Sequence, residues 1–348
     1  MFQPPAFHPE RPGLVAPVRV DPRGLDGPTP GQVRGKAWRQ TSYGLHVPSS
    51  VDRTDPGQRT VEAAALLGPD EGVTGWAALA WQRARWFSGT TVSGEPQPMT
   101  IVAKRHVVPP AHIDLSQEYL KPGDVEVVDG LPVTLAVRSV CFEARYAATL
   151  AEAVVAVDMG AYDDLVSLSE LVPYVAAQMA PTGIGLARKA LSLVDENSWS
   201  PQETRMRLVW ELLGERPRPL CNVPIFDRWG RHVATPDLLD PEAGVVGEYD
   251  GSLHLAGQQR ARDLRREGEL RALGLEYVTM VAGDRTDDHH SFLIRLATAY
   301  ARAAYSAETD RLWTIQPPSW WTPTTTVQAR RALDPALRER LLRHRRAT

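Results

Sequence analysis

From Ser200 onward the hydrophobic pattern switches period several times. SPQETRMRLVWELLG spaces its apolar positions as a helix, whereas LCNVPIFD, RHVATPDLL and GVVGEYDG are short extended runs bounded by turn formers. AGQQRARDLRREGELRALG then predicts a polar helix, LEYVTMV a strand and SFLIRLATAYARAAY an amphipathic helix. This order predicts a compact α/β unit with a strand hairpin at its centre. Between Leu135 and Val194 the pattern is helical nearly throughout, with turn signals at Asp163 and over residues 181–183. Upstream, KAWRQTSYGLHVPSS predicts a short β-ribbon, QRTVEAAALL and TGWAALAWQRAR two helices, and MTIVAKRHVV a strand, which together make a small α+β region.

The chain ends differ in character from the middle. Residues 1–35 are dense in Pro and Gly without periodicity and predict an extended or disordered arm. The last segment holds a Trp/Pro/Thr stretch and an Arg-rich helix opened by Asp334-Pro335, a cap followed by proline at the first helical position. The expected divisions are therefore an arm (1–35), a small α+β region (36–133), a helical connector (134–197), an α/β domain (198–305) and a tail (306–348).

Composition narrows the classes of function. The 348 residues are 43% hydrophobic and 23% charged, which suits a soluble globular protein with a real core. A net charge of −3 excludes a global basic field, so any nucleic-acid surface must be a local concentration of arginine. Cys141 and Cys221 are far apart and have no CxxC companion, which fits a reducing compartment and argues against structural zinc. No apolar run approaches the roughly 20 residues of a membrane span, and MFQPPAFHPERPG lacks a signal-peptide apolar core, so a cytoplasmic protein is expected.

Candidate chemistry centres on TPDLLDPEAGVVGEYDG, residues 235–251. Residues two apart on a strand share a face, so Glu248 and Asp250 project together while Tyr249 faces away. A turn at Glu242 returns the chain so that Asp237 lies near Glu248 on the neighbouring strand. Three converging carboxylates repel one another unless a cation joins them. Mg²⁺ or Mn²⁺, held by Asp237 and Glu248, answers that repulsion, and such a hard ion binds few carboxylates together with water and phosphate oxygens. The chemistry that follows is phosphodiester hydrolysis. Singly, each acid is also explained by a salt bridge or a solvated strand face.

Pro236-Asp237, ten intervening residues, Glu248-Tyr249-Asp250, and Glu203 on the preceding helix resemble the PD-(D/E)XK nuclease pattern. The EYDG run, His254 beyond it, and Asp263-x-x-Arg266-x-x-x-Leu270-x-x-x-Gly274 are similar to actinobacterial proteins whose C-terminal domain is related to very-short-patch-repair endonucleases. The similarity covers about residues 198–302 and implies a restriction-endonuclease-like domain acting on DNA. In such proteins the preceding region resembles abortive-infection antitoxins with a winged-helix N-terminus, and residues 31–195 are similar to that arrangement, which implies a cognate toxin as partner. The resemblance implies supporting roles for Glu203 and Asp250. The position that a lysine commonly occupies in the pattern is Asp250 here, and His254, just past the strand, is the candidate proton acceptor. The strand LEYVTMV has Thr279 and Met280 where related sequences tend to carry an arginine. These departures define the alternative, a non-catalytic DNA-binding or antitoxin-type regulator on a decayed nuclease fold.

Bland readings stand beside these. Ser200-Pro201-Gln202-Glu203 is a capping box, which alone would account for Glu203. Arg260, Arg265 and Arg266 are candidates for phosphate contact, yet Asp263, Glu267 and Glu269 interleave with them, which equally predicts a helix laced with ion pairs and an Asp263–Arg266 brace. Arg338, Arg340, Arg343, Arg345 and Arg346 predict a basic patch on the final helix. Trp76, Trp81 and Trp86 are expected in packing, and Asp287-Asp288-His289-His290 as a helix start and not a metal cluster.

Overall fold

The chain folds as two units, residues 1–147 with 170–185 and residues 148–169 with 186–348. The computed structural model describes residues 11–91, 94–104, 108–179, 181–251, 258–304 and 311–345, and the side chains of all of these except 258–264 and 344. The connector expected over residues 134–197 is thus divided between the units.

The first unit contains β1 (Val18–Arg19), α1 (Pro30–Val33), β2 (Trp38–Ser42), β3 (Leu45–Pro48), α2 (Pro56–Ala64), β4 (Gly72–Thr74), α3 (Gly75–Trp81), β5 (Met99–Val102), β6 (Ile113–Ser116), β7 (Val125–Val128), β8 (Leu131–Thr134) and α4 (Ala136–Tyr146). β3 pairs with both β1 and β2, so the arm expected over residues 1–35 is in its later part a strand of a sheet. A five-stranded sheet in the order β6-β5-β4-β8-β7 carries α2 and α3. The hairpin β7–β8 turns at Asp129 (φ 44°) and Gly130 (φ 81°), the Asp-Gly pair that a tight hairpin needs because both residues take positive φ. Trp76 and Trp81 are buried, and their indole nitrogens donate to the carbonyls of Pro98 and Val128, so they pack as the pattern predicts.

The second unit begins with α5 (Leu150–Tyr162). Two helices, α6 (Leu168–Ala176) and α7 (Ile184–Ala190), fall where the chain passes between units. There follow α8 (Pro201–Leu208), continued by a π-helical turn over Val209–Leu213, then β9 (Leu220–Cys221), β10 (Ile225–Asp227), β11 (His232–Ala234), β12 (Leu238–Asp240), β13 (Val245–Asp250), α9 (Gln258–Ala272), β14 (Glu276–Val281), α10 (His290–Ala303), β15 (Trp313–Thr314), α11 (Val327–Arg331) and α12 (Pro335–Leu341).

A mixed sheet in the order β14-β13-β12-β9 forms the middle of this unit. β9, β12 and β13 are antiparallel neighbours, and β13 runs parallel to β14 with α9 as the crossover. Both faces are covered. Leu238, Val245, Val278 and Met280 pack with Met206, Trp210, Phe292 and Leu296 on one side. Leu239 and Val246 pack with Leu270, Leu275 and Trp313 on the other. This two-sided burial explains why the strands read as apolar runs, with the charged side chains Asp240, Glu248, Asp250 and Glu276 gathered toward the strand ends. A smaller sheet, β11-β10-β15, adjoins the second core.

Gly247, in the middle of β13, admits Trp210 closely: a Cβ there would lie 2.8 Å from the indole Cζ3. Gly247→Ala is expected to lose about 1–3 kcal/mol through overpacking, read as a lower urea midpoint. An unchanged midpoint would show that Trp210 can move aside.

The tail is built into the second unit. Arg330 is fully buried and donates to Asp164 Oδ1 at 2.6 Å and to the carbonyl of Ala161 at 2.8 Å. Arg338 also reaches Asp164, and buried Arg345 donates to the Tyr162 carbonyl. The basic patch expected on the final helix therefore loses Arg338 and Arg345 to structural roles, because Asp164 and the end of α5 present acceptors that only the fold brings near. No described helix is long and apolar enough to cross a membrane.

Candidate functional site

Ser200 starts α8: its Oγ accepts the Glu203 N–H at 3.1 Å, and Pro201 occupies the first helical position. The second half of the capping box is displaced. Glu203 Oε2 accepts the N–H of Trp199 at 2.9 Å, one residue before the cap, and the Nδ2–H of Asn222 at 2.8 Å. The Glu203 carboxyl is buried, held by this amide and side-chain pair and turned toward the sheet edge.

Asn222 connects two of the acids. It stands between β9 and β10 with φ 48°, a left-handed conformation that asparagine tolerates better than most residues. Its N–H donates to the Asp237 carbonyl at 3.0 Å while its side chain holds Glu203. The residue lies inside LCNVPIFD, where a polar residue two before a proline is a break in an apolar run. That break was the available signal for Asn222, and it is also why the single predicted strand is two.

Asp237 precedes β12. Extending the register Leu238↔Gly247 by one pair sets it opposite Glu248. Asp237 Oδ2 accepts the Tyr249 N–H at 2.8 Å, and Oδ1 accepts no hydrogen bond among the described residues. Burial pushes the Asp237 carboxyl above the usual carboxylate range, against the opposing pull of the Tyr249 N–H and the Arg266 charge. Burial raises Glu203 likewise, and the Asp237 charge raises it further. Glu203 is buried and Asp237 half-buried, and Asn222 bonds to both residues.

The other predicted acids are placed differently. Glu248 Oε1 lies 2.6 Å from Arg266 Nη2, and Oε2 accepts the Tyr277 hydroxyl at 3.3 Å. Arg266 also donates to the Thr235 carbonyl at 2.9 Å, so one guanidinium ties α9 to both the acid strand and the segment before β12. Of the three acids expected to converge, Glu248 is ion-paired with Arg266, Asp250 is exposed at the end of β13, and Asp237 is joined to Glu203 through Asn222. Tyr249 packs on the opposite, Trp210 side, as strand alternation requires.

His254 and the side chains of Arg260 and Asp263 lie outside the described residues, and Arg265 is exposed. Arg271 pairs with Glu267 at 3.0 Å and Glu276 at 2.8 Å, the ion-pair lacing that alternating charge predicts. Asp287 accepts the N–H and hydroxyl of Ser291, which holds its carboxyl below the usual range, but α10 begins only at His290, so the two acids precede the helix instead of opening its first turn, with Asp288 and His289 at φ 52° and 66°. Among the described residues no group of three or more His, Cys, Asp or Glu side chains is arranged to hold a metal ion.

No protein-family model, curated protein or solved structure matches this chain.

A divalent cation can nevertheless be tested against the donors present. Mg²⁺ commonly takes one or two protein carboxylates and completes its octahedron with water and phosphate oxygens. Glu203 and Asp237 supply that number. Their raised carboxyls and the unengaged Asp237 Oδ1 fit a cation that would offset the repulsion between them. Glu248 fits as a ligand only on leaving Arg266.

Proposed function

We propose that the second unit is a Mg²⁺- or Mn²⁺-dependent DNA endonuclease with a restriction-endonuclease-like fold. The observation that carries this reading is the linkage of Glu203 to Asp237: Asn222 donates through its side chain to the Glu203 carboxyl and through its N–H to the Asp237 carbonyl, and among the described residues no cationic side chain is hydrogen-bonded to either carboxyl. Order supports it as well: the first acid opens α8, the second precedes β12, and Glu248 follows on β13, as in the PD-(D/E)XK resemblance.

In this reading Asp237 and Glu203 hold the ion, which when bound activates water and stabilises charge on phosphate oxygens. The chain's own groups do the rest. Tyr249 N–H and Asn222 fix the two carboxyls in orientation. Arg266 keeps Glu248 beside them and supplies positive charge on the side where a phosphodiester approaches. Asp250 stands at the open end of β13, and His254 is the proposed proton acceptor beyond it. Arg260 and Arg265 are proposed phosphate contacts. The first unit is proposed as an antitoxin-like region with a cognate toxin, in a cytoplasmic protein.

The test is cleavage of supercoiled plasmid, mismatched duplex and single-stranded DNA with Mg²⁺ or Mn²⁺ and with chelator. Nicking or cutting that depends on the metal is expected. Intact DNA of all three kinds with either metal would overturn the enzyme. A second reading, a non-catalytic DNA-binding or antitoxin-type regulator, is favoured by two observations: Arg266 already neutralises Glu248, and Asp250 stands where a lysine is common.

A further inference from the structure

Beside the acid pair the second unit opens into a cleft of about 470 Å³, inside the size range of small-ligand pockets. Its walls are aromatic to an unusual degree: Trp199, Trp320, Trp321 and His232 all line it. Most of these rings are fixed in place. His232 stacks on Trp321 with centroids 5.2 Å apart and planes at 23°, and Phe226 meets Trp321 edge-on at 5.0 Å. Trp199 donates its indole N–H to Asn197 at 3.2 Å and has the Arg345 guanidinium 5.6 Å from its ring centroid. Trp320 forms the lip and is 61% exposed, a large apolar surface left in water.

Polar groups are placed among the rings. Thr324 and Thr325 also line the cleft with hydroxyls of the kind that read a base edge, Asn222 offers its Oδ1 while its amide nitrogen bonds Asn197 and Glu203, and Arg340 adds a cation. Desolvation and the Arg266 charge hold His232 below its ordinary pKa, and its ring lies stacked on Trp321. A lipid chain would be met by aliphatic walls, which here amount to Leu341 and Pro224. A flat, hydrogen-bonding ring fits this lining better.

Three cleft residues also build the acid site. Trp199 N–H and Asn222 Nδ2 are the two donors on Glu203, and the Thr235 carbonyl receives Arg266, which holds Glu248. A base of a strand bound at the carboxyls would enter this cleft only after leaving its stack.

We propose that this cleft takes a single unstacked nucleobase of the DNA strand, so that the substrate is DNA with an unpaired or easily unpaired nucleotide. The proposal rests on the endonuclease reading for the position of the strand. Extrusion costs least where a base is mismatched or already single-stranded, which turns the cleft into a selector of DNA structure. Base stacking on an indole is worth roughly five- to a hundredfold in affinity when the ring is removed.

The experiment uses the full chain in chelator, so that nothing is cut, and oligonucleotides carrying 2-aminopurine at one unpaired position or at the same position in a perfect duplex. Anisotropy reads DNA binding, and 2-aminopurine fluorescence reads the environment of the base. Binding is expected to change the fluorescence of the unpaired probe and to leave that of the paired probe nearly unchanged. Trp320→Ala, at an exposed position, and Trp321→Ala should weaken binding of the unpaired DNA roughly five- to a hundredfold and that of the duplex little. Trp320→Ala carries the test should Trp321→Ala melt early. DNA bound with no change in the probe, and with both variants binding as the wild type, overturns the base cleft and leaves the endonuclease reading standing. Absence of DNA binding altogether overturns both.

Discussion

Asp237→Asn is expected to abolish metal-dependent cleavage and, without metal, to melt above the wild type. The first effect follows from removing a ligand charge at nearly constant shape. Loss of charge stabilisation worth several kcal/mol lowers the rate roughly a thousandfold or more. The second follows from the Glu203–Asp237 pair: with Asp237 neutral, the charge that raises Glu203 is gone. The pH dependence has a definite sign. Both carboxyls are raised in the folded state, so the fold binds protons that the unfolded chain has released. Their contribution to stability is fully present below the unfolded carboxylate values near pH 4, and it is lost as the pH rises through the raised values. The metal-free wild type should therefore lose stability from this pair between acid and neutral pH, and Asp237→Asn should flatten that slope. Metal acts oppositely: an ion at a hundred times its dissociation constant stabilises the fold by about 2.7 kcal/mol, mostly absent in the variant. Melting curves of both proteins, with and without metal, at acid and neutral pH, check this. A variant that melts below the wild type, together with a wild type indifferent to metal, would sink the metal site.

Arg207→Ala should cost about 3–5 kcal/mol, the loss usual when one partner of a buried ion pair is removed. Arg207 on α8 and Asp158 on α5 are fully buried with Nη2 and Oδ2 2.7 Å apart. Asp158 also accepts the Thr204 hydroxyl and the Asp195 N–H, each at 2.8 Å, so a lone carboxylate would remain among partners arranged for a pair. The melting temperature of a unit this size should fall by roughly 10 °C. Replacing both members, as in Asp158→Leu with Arg207→Met, should recover much of the loss, because desolvation of the charges is removed with their attraction. Glu203 and Arg207 are one helical turn apart, so the metal response of Arg207→Ala should also weaken as the start of α8 loosens. A single variant that melts as the wild type would show that water enters the site.

Much of the second unit is legible along the chain. The hairpin β12–β13, the helix α9, the strand β14 and the helix α10 stand where the periods of two and 3.6 place them, since each period is a local consequence of backbone geometry. The first unit is less legible. β4 and β6 are three and four residues long, too short for alternation to separate from coil, and the Asp129-Gly130 turn marks β7–β8 only when read as a hairpin signal.

For the acids the division is sharper. By itself the sequence determined the pairing of Asp237 with Glu248 across the hairpin and the common side of Glu248 and Asp250, because a tight turn and an alternating strand leave no other register. It equally determined the cap at Ser200, where local bonds suffice. Which acid is joined to Asp237 was decided only by tertiary structure. Glu203 arrives from α8, Asn222 joins it to Asp237, and Arg266 reaches Glu248 on the neighbouring strand, while the side chain of Asp263, its expected partner, lies outside the described residues. The same holds for the arginines of the tail, drawn into the core by Asp164 and the carbonyls at the end of α5. Charge pairing and desolvation depend on distances through space, and no local pattern of residues records which distant groups the packing of helices on a sheet will bring together.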